Sequence, residues 1–166
     1  MIEAEHVYTP PQAAAAESTP DEVKRFLDGS DLLAKTQALR LSTVDESGWP
    51  HASLLSAGDM LMLPSGRVRF VVFPQSKTAA NLMRDGRITV TLSLDGGMCE
   101  VQMRARPLAH GSPDVPLAFF EAEVETVRIH KAPYATITSG ITFALHEPEG
   151  VLPRWHRQIA ALRSAS

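Results

Sequence analysis

The most constraining feature of the chain is a two-residue alternation between positions 88 and 94. Aliphatic residues there occupy every second position and hydroxyl residues fill the gaps, in the order Ile88, Thr89, Val90, Thr91, Leu92, Ser93 and Leu94. Successive side chains of a strand point to opposite faces, so this alternation predicts a strand with one buried face. A chain built on such strands must pair them into a sheet.

Turn sequences after this strand and earlier in the chain predict hairpins. Asp95-Gly96-Gly97 joins the strand to a second one over residues 98–106, which Pro107 ends. Two earlier hairpins are predicted in the same way, from residues 39–44 and 49–57 around Gly48, and from 60–63 and 67–73 around Gly66. Three hairpins in about seventy residues indicate an antiparallel, mainly β domain, either a small barrel or a sandwich.

The flanking segments are less regular. Residues 1–19 have no periodic apolar face and are predicted to form a flexible arm, leaving residues 20–166 as a single domain. Pro20 is predicted to begin a short helix that Gly29 ends. Residues 118–130 fit either a strand or a helix, and we predict a strand; residues 137–145 are irregular or a short strand. Residues 153–163 are predicted to form a closing helix with Trp155, Ile159 and Leu162 on one side.

Composition limits the classes of function. The 166 residues carry a formal net charge of −3, which gives no basic surface for a nucleic acid. The single cysteine, Cys99, cannot form an internal disulfide and lies in a predicted strand, so we expect a buried thiol in a cytoplasmic protein. No long apolar run predicts a membrane span, and no leader peptide is expected.

A helix beginning at Ser76 is the strongest candidate for a binding site. Ser76 follows the strand that ends near Phe73, and it is a favourable N-cap for a helix in which Ala79, Leu82 and Met83 share one face. The first turn of a helix has unpaired backbone N–H groups. Lys77 and Thr78 would add a cation and a hydroxyl there, which together suit a phosphate. The alternative is that these residues only cap the helix and keep it soluble.

Evidence for catalysis by side chains alone is weak. The six histidines include no close pair with the spacing of metal ligands, and no metal site is predicted. The chain has no Gly-x-Ser-x-Gly elbow, no nucleotide-triphosphatase loop and no Gly-x-Gly-x-x-Gly motif. Redox chemistry would therefore need an organic cofactor.

Five segments follow one another in a recognisable order, namely residues 39–44, 48–53, 67–70, 76–82 and 85–88. Their order is similar to that of the pyridoxamine 5′-phosphate oxidase-like, FMN-binding split-barrel superfamily. The resemblance covers roughly residues 22 to 108. It implies a six-stranded antiparallel split β-barrel and a homodimer, with FMN in each of two grooves at the subunit interface.

The resemblance also implies a set of cofactor-binding residues. Ser76, Lys77 and Thr78 match the family's phosphate-binding turn, and Ser53, Leu54 and Leu55 match the strand along the flavin ring. Phe73 matches the strand end beside the ring, Gln102 a polar strand residue that reaches the cofactor, and Trp155 an aromatic residue from the second subunit. The alternatives are that Leu54 and Leu55 are core residues and that Trp155 only packs.

One departure limits the predicted activity. True pyridoxamine-phosphate oxidases end with an Arg-Leu-x-Pro-type segment, whereas residues 160–166 here lack it. We therefore expect poor turnover of pyridoxamine phosphate, and an FMN-dependent oxidoreductase acting on another small molecule. The alternatives are a non-catalytic flavin or haem binder, or a deazaflavin-dependent reductase on the same fold; the sequence names no catalytic residue.

Overall fold

A computed structural model of the chain describes residues 8–166, and residues 1–7 lie outside the described part. Seven strands form one sheet: β1 Leu39–Val44, β2 Pro50–Leu55, β3 Met60–Met62, β4 Val68–Val72, β5 Arg87–Leu94, β6 Gly97–Pro107 and β7 Ala118–His130. Three α-helices accompany it: α1 Asp21–Phe26, α2 Lys77–Arg84 and α3 Pro148–Ser164. Short 3₁₀ turns occupy Ala16–Ser18 and Leu32–Ala34.

All strand pairs in the sheet are antiparallel, in the order β2-β1-β5-β6-β7-β4-β3. The three predicted hairpins are the pairs β1–β2, β3–β4 and β5–β6, and the predicted mainly β class is confirmed. The sheet curls into a half-barrel with seven strands rather than the six that the resemblance implied. Within the described residues β2 and β3 are its edges.

Glycine occupies the turns of these hairpins for a steric reason. Gly48 and Gly66 have φ values of 84° and 87°, a left-handed conformation that a Cβ atom disfavours. Asp95 and Gly96 both have positive φ, as a tight hairpin turn requires. The turn residues that predicted the hairpins therefore also determine where each strand reverses.

The segment 118–130 is a strand, as predicted. β7 pairs with β6 along most of its length and with β4 through its first half. It thereby joins the β3–β4 hairpin to the rest of the sheet. The register between β6 and β7 shifts between Gln102 and Met103, which marks a β-bulge.

Two hydrophobic cores lie on opposite faces of β4. Phe70 and Val72 point into the barrel, where Phe70 stacks on Phe120 with ring centroids 5.6 Å apart. Val71 points the other way, into a second core that α3 covers. Because β4 is buried on both faces, its sequence is almost continuously apolar.

Helix α3 begins at Pro148, five residues before the predicted start at Pro153. Proline suits the first turn of a helix, where its missing N–H costs nothing, and Pro153 is accommodated inside the helix. Trp155, Ile159 and Leu162 are all buried on one side, as predicted. They pack against the second core.

A cluster of arginines surrounds one buried carboxylate on β7. Glu121 is 3% exposed and accepts hydrogen bonds from Arg69 Nε at 2.9 Å, Arg106 at 2.6 Å and Arg67 at 3.3 Å. Burial alone would raise the pKa of Glu121, but the hydrogen bonds and charges of Arg69 and Arg106 outweigh it and lower the pKa. Arg69 also donates to the carbonyls of Leu162 and Arg163, so this arginine links the sheet to the end of α3 by hydrogen bonds.

Part of the predicted N-terminal arm is described. Ala14 and Val127 exchange two backbone hydrogen bonds of 2.9 and 3.0 Å, and the side chain of Thr19 is buried. The division into an arm over residues 1–19 and a domain over residues 20–166 stays a prediction. Cys99 is fully buried, as expected. No helix of the described residues has both the length and the apolar character of a membrane span.

Candidate functional site

A groove of about 480 Å³ lies between β2, the end of β4, the start of α2 and one face of α3. We call it the α2–α3 groove. It is lined by six of the nine residues that the sequence predicted to bind a cofactor, namely Ser53, Leu54, Leu55, Phe73, Ser76 and Thr78. These residues come from two stretches of the sequence, 53–55 and 73–78, which the fold brings together.

The start of α2 forms one end of the groove. The Ser76 hydroxyl caps the helix, since it accepts from the Ala79 N–H at 3.1 Å and donates to the Phe73 carbonyl at 2.7 Å. Within the described residues, the backbone N–H groups of Lys77 and Thr78 have no protein acceptor. They remain available to an anion, as the first turn of a helix allows.

Lys77 lies beside this turn and not in the lining of the groove. Its side chain is about half exposed, and its Nζ is 3.8 Å from Asp45 Oδ2. The Trp49 N–H donates to Asp45 and lowers its pKa, with a smaller contribution from the charge of Lys77. Asp45 therefore stays ionised and offers Lys77 a weak, easily exchanged partner.

The Thr78 hydroxyl is hydrogen-bonded to the neighbouring strand β2. Thr78 is 4% exposed, and its Oγ1 lies 3.0 Å from Ser53 Oγ. Each hydroxyl has one proton, and the bond between them uses one of the two, so the Thr78–Ser53 pair has one hydroxyl proton left for a ligand. Ser53 is the less buried of the two and is the hydroxyl donor that the groove offers.

The middle of the groove is apolar and open. Leu54 is 53% exposed and Phe73 is 69% exposed, while Leu55 is half-buried against the barrel core. Exposed side chains of this size on one surface suit a planar apolar ligand or a second protein surface. The alternative role of Leu54 as a core residue does not fit its exposure, whereas Leu55 partly fulfils it.

Helix α3 forms the other end. Its residues Arg154, Arg157 and Gln158 line the groove; the two arginines are exposed and Gln158 is buried. The Gln158 amide donates to the Gly58 carbonyl at 2.9 Å and to Asp59 Oδ1 at 2.8 Å. The family resemblance assigned no cofactor contact to these three residues. Their spacing of three and four along a predicted helix does place them on one face.

Three predicted site residues lie elsewhere. Lys77 flanks the groove, as described above. Gln102 is exposed on β6, where it accepts from Thr126 Oγ1 at 2.8 Å and Arg128 at 2.9 Å. Trp155 is 4% exposed and lies in the second core, in an edge contact with Phe143 at 6.3 Å. Within its own protomer, Trp155 packs and does not face the groove.

The packing of Met83 corrects the predicted face of α2. Ala79 and Leu82 are buried in the barrel core, but Met83 is 65% exposed. The sequence placed all three on one face because Met83 follows Ala79 by four residues. The helix has only eight residues, and its buried stripe is narrower than predicted.

The groove contains no evident nucleophile. Burial, together with the charge of Glu100, raises the pKa of Cys99 to about 11, so this thiol stays protonated and unreactive. Among the described residues, no three His, Cys, Asp or Glu side chains are grouped as a metal ion would require. What the groove offers is an apolar wall, one hydroxyl donor, free backbone N–H groups and cations at both ends.

Comparisons with known proteins place the chain in a family. It is 34% identical over 149 residues to the uncharacterised protein YclD of Bacillus subtilis, an alignment that covers 86% of this chain and 94% of YclD. No family model matches the chain.

The fold has counterparts among solved structures. The crystal structure of HupZ from Group A Streptococcus has a TM-score of 0.54 at 16% identity, covering 72% of this chain and 98% of HupZ. A single-substitution variant of HupZ gives the same TM-score over 67% of this chain. A Listeria innocua protein provisionally described as a pyridoxamine 5′-phosphate oxidase has a TM-score of 0.48 at 15% identity, over 68% of this chain and 98% of its own. At these identities the likeness is one of fold.

The chain thus belongs to the family of YclD, and its curled antiparallel half-barrel is the fold that it shares with HupZ.

Proposed function

We propose that this protein is an FMN-binding oxidoreductase that transfers hydride or electrons to or from a small molecule. The observation that carries the proposal is the α2–α3 groove, where six of the nine residues matched to a flavin site meet. The flavin would supply the redox chemistry, and the protein would bind it and control its surroundings.

The residues present fit the parts of FMN. The free N–H groups of Lys77 and Thr78 and the Lys77 ammonium suit the phosphate, because a helix N-terminus favours an anion. The exposed Leu54 and Phe73 side chains suit the flavin ring, and the Ser53 hydroxyl can donate to a ring or ribityl oxygen. Thr78 acts by orienting Ser53.

We also propose that the protein is a homodimer with a flavin in each of two grooves. The apolar wall is open in a single chain, since Phe73 is 69% and Leu54 53% exposed, and a second chain would cover it. Gln102 lies outside its own groove on the exposed side of β6, where it is available to the cofactor of a partner. Sedimentation as a stable monomer at micromolar concentration would contradict this arrangement.

The first experiment is the visible spectrum of the purified protein, recorded as isolated and again after incubation with FMN and removal of the unbound FMN by gel filtration. Paired flavin bands support the proposal, whereas a single deazaflavin band or a Soret band would replace FMN by the corresponding cofactor. Absence of all three after incubation with FMN would overturn the proposal.

Substitution of Lys77 tests the phosphate position. Bonds to charged groups contribute about 1.5–3 kcal/mol, so Lys77→Ala is expected to weaken FMN binding roughly ten- to a hundredfold. Thr78→Val should reduce the FMN affinity less, because it removes the hydrogen bond to Ser53 but no charge. Fluorescence titration measures both affinities.

Riboflavin, which lacks the phosphate, is the matched control. It should bind weakly to the parent protein and be almost indifferent to Lys77→Ala. Equal losses for FMN and riboflavin would indicate general disruption, and unchanged FMN affinity would falsify the phosphate assignment.

A further inference from the structure

Two arginines in the α2–α3 groove lack an acceptor. Arg154 and Arg157 line the groove, and within the described residues neither forms an ion pair or a hydrogen bond. Most other described arginines have such a partner: Arg69 and Arg106 bind Glu121, and Arg163 donates to the Asp28 carbonyl. An arginine with five free N–H donors beside a groove is available to a ligand.

The face that carries these arginines is fixed in place. Gln158, one turn from Arg154, is hydrogen-bonded through its amide to Gly58 and Asp59, and Trp155 packs directly on Gly58. Arg154 and Arg157 are three residues apart, so their side chains leave the helix on the same side. Two guanidinium groups on one rigid face can bind the oxygens of one anion together.

The carboxylates nearby form no ion pair with either arginine. Asp59 lines the same groove, and its oxygens already accept from the Ser56 N–H, the Ser56 hydroxyl and Gln158, each at 2.8 Å. Asp114 lines the groove from the loop before β7, and no ion pair joins it to either arginine within the described part of the chain. The guanidinium donors at the α3 end of the groove therefore remain available to an acceptor.

This end is separate from the phosphate position at α2. Ser53 contacts Thr78 at the α2 end, whereas at the α3 end Ser56 contacts Asp59, which in turn contacts Gln158. The extended chain from Ser53 to Ser56 spans roughly 10 Å. The apolar wall of Leu54 and Leu55 lies between these two ends.

We propose that Arg154 and Arg157 bind the carboxylate or phosphate of the substrate, which makes the substrate class a small anionic molecule. The proposal rests on the proposed function, since the substrate must lie against a flavin held by the wall of the groove. It names the substrate class that the flavin site alone leaves open.

Calorimetric titration of the FMN-saturated protein tests the proposal with three aromatic probes: phenyl phosphate, benzoate and neutral benzamide. At least one of the two anions should bind, and benzamide should bind at least about tenfold more weakly, because charge-assisted hydrogen bonds are the strong ones. The tighter anion identifies the group that the arginines take. Failure of both anions to bind, or equal binding of benzamide, overturns the proposal.

The double variant Arg154→Gln/Arg157→Gln should weaken anion binding about tenfold or more while FMN affinity is retained. Arg25→Gln is the matched control, because Arg25 is an exposed arginine of α1 outside the groove. An equal loss in Arg25→Gln, or no loss in the double variant, would contradict the proposal.

A failure of FMN binding can be distinguished from a failure of the arginine site. If the protein takes no FMN, the same titrations are made on the cofactor-free chain, with Lys77→Ala added. Loss of anion binding in the double variant would still support the arginine site. Loss only in Lys77→Ala would move the anion to α2 and overturn it.

Discussion

Two groups of arginines in this protein have opposite electrostatic surroundings. Arg67, Arg69 and Arg106 converge on Glu121, whose carboxylate is almost fully buried. Arg154 and Arg157 line an open groove with no carboxylate partner among the described residues. The first group binds a buried carboxylate and stabilises the fold, whereas the second has no acceptor among the described residues and is available to a ligand. The difference comes from the partner and not from the residue type.

The largest expected effect is the loss of the buried carboxylate. Glu121→Ala leaves three arginines without their shared counter-charge, and removing one partner of a buried ion pair costs about 3–5 kcal/mol. Arg69 is mostly buried, but Arg67 and Arg106 are 50% and 63% exposed and can be solvated, so the lower end of that range, about 3 kcal/mol, applies here. We expect the free energy of unfolding in urea to fall by that amount.

Glu123→Ala is the matched control on the same strand. Its carboxylate is 72% exposed and lies 3.5 Å from Arg67, so its loss should cost at most about 1 kcal/mol. Equal effects of the two substitutions would mean that the buried carboxylate of Glu121 stabilises the fold no more than an exposed one does.

A second prediction concerns the support of α3. A Cβ atom on Gly58 would lie 2.1 Å from the ring of Trp155, so Gly58→Ala must displace the helix or the turn. Overpacking of this kind costs typically about 1–3 kcal/mol. The substitution should also weaken anion binding at Arg154 and Arg157 and leave binding at the α2 end intact.

Gly150→Ala provides the comparison for Gly58, because a Cβ there meets nothing within 4 Å and the residue lies in the first turns of α3. It should leave stability unchanged or raise it by up to about 1 kcal/mol. Urea denaturation measures the free energy of unfolding of both variants. If Gly150→Ala were as destabilised as Gly58→Ala, the contact with Trp155 would not be the cause of the loss.

The smallest effect is a pH dependence at Asp28. Burial alone would raise the pKa of Asp28, but hydrogen bonds from Lys35 and Ser30 lower it from 3.8 to about 2. A lowered pKa in the folded state means that the ionised carboxylate stabilises the fold above pH 3.8. That contribution is lost as the pH falls towards about 2.

The melting temperatures of the parent and Asp28→Asn should therefore differ at about pH 7 and converge between about pH 4 and about pH 2. Because Asp28 is 45% exposed, the difference should be small, and salt should reduce it. A difference that grew on acidification would contradict the assigned sign.

Turn residues and alternating apolar residues predicted most of the strands, because both depend only on the backbone conformation of the residue and its near neighbours in sequence. Gly48, Gly66 and Gly96 adopt the positive φ that a turn needs, and each stands where the sequence placed a turn. Residues 118–130 fitted either a strand or a helix on their own, and the antiparallel pattern of the surrounding segments correctly favoured the strand. Such patterns depend on a residue and its neighbours in sequence, so they can be interpreted without knowledge of the fold.

Burial that depends on distant segments was predicted less well. Alternation placed Glu121 on one face of β7, but only the arginines of β4 and β6 make that face a place for a buried carboxylate. Met83 is exposed and Thr78 is bonded to Ser53 because of where α2 lies on the sheet. The sequence did not place α3 at the groove for the same reason, since Gln158 meets Asp59 only in the folded chain.

The burial of Cys99 has a practical consequence for labelling. At a pKa of about 11, only about one thiol in ten thousand is a thiolate at pH 7, and the sheet covers even that fraction. Since the chain has one cysteine, a cysteine introduced at an exposed position would be the single fast-reacting thiol of the protein. A spin label or fluorophore could then be attached next to the groove without first removing a native residue.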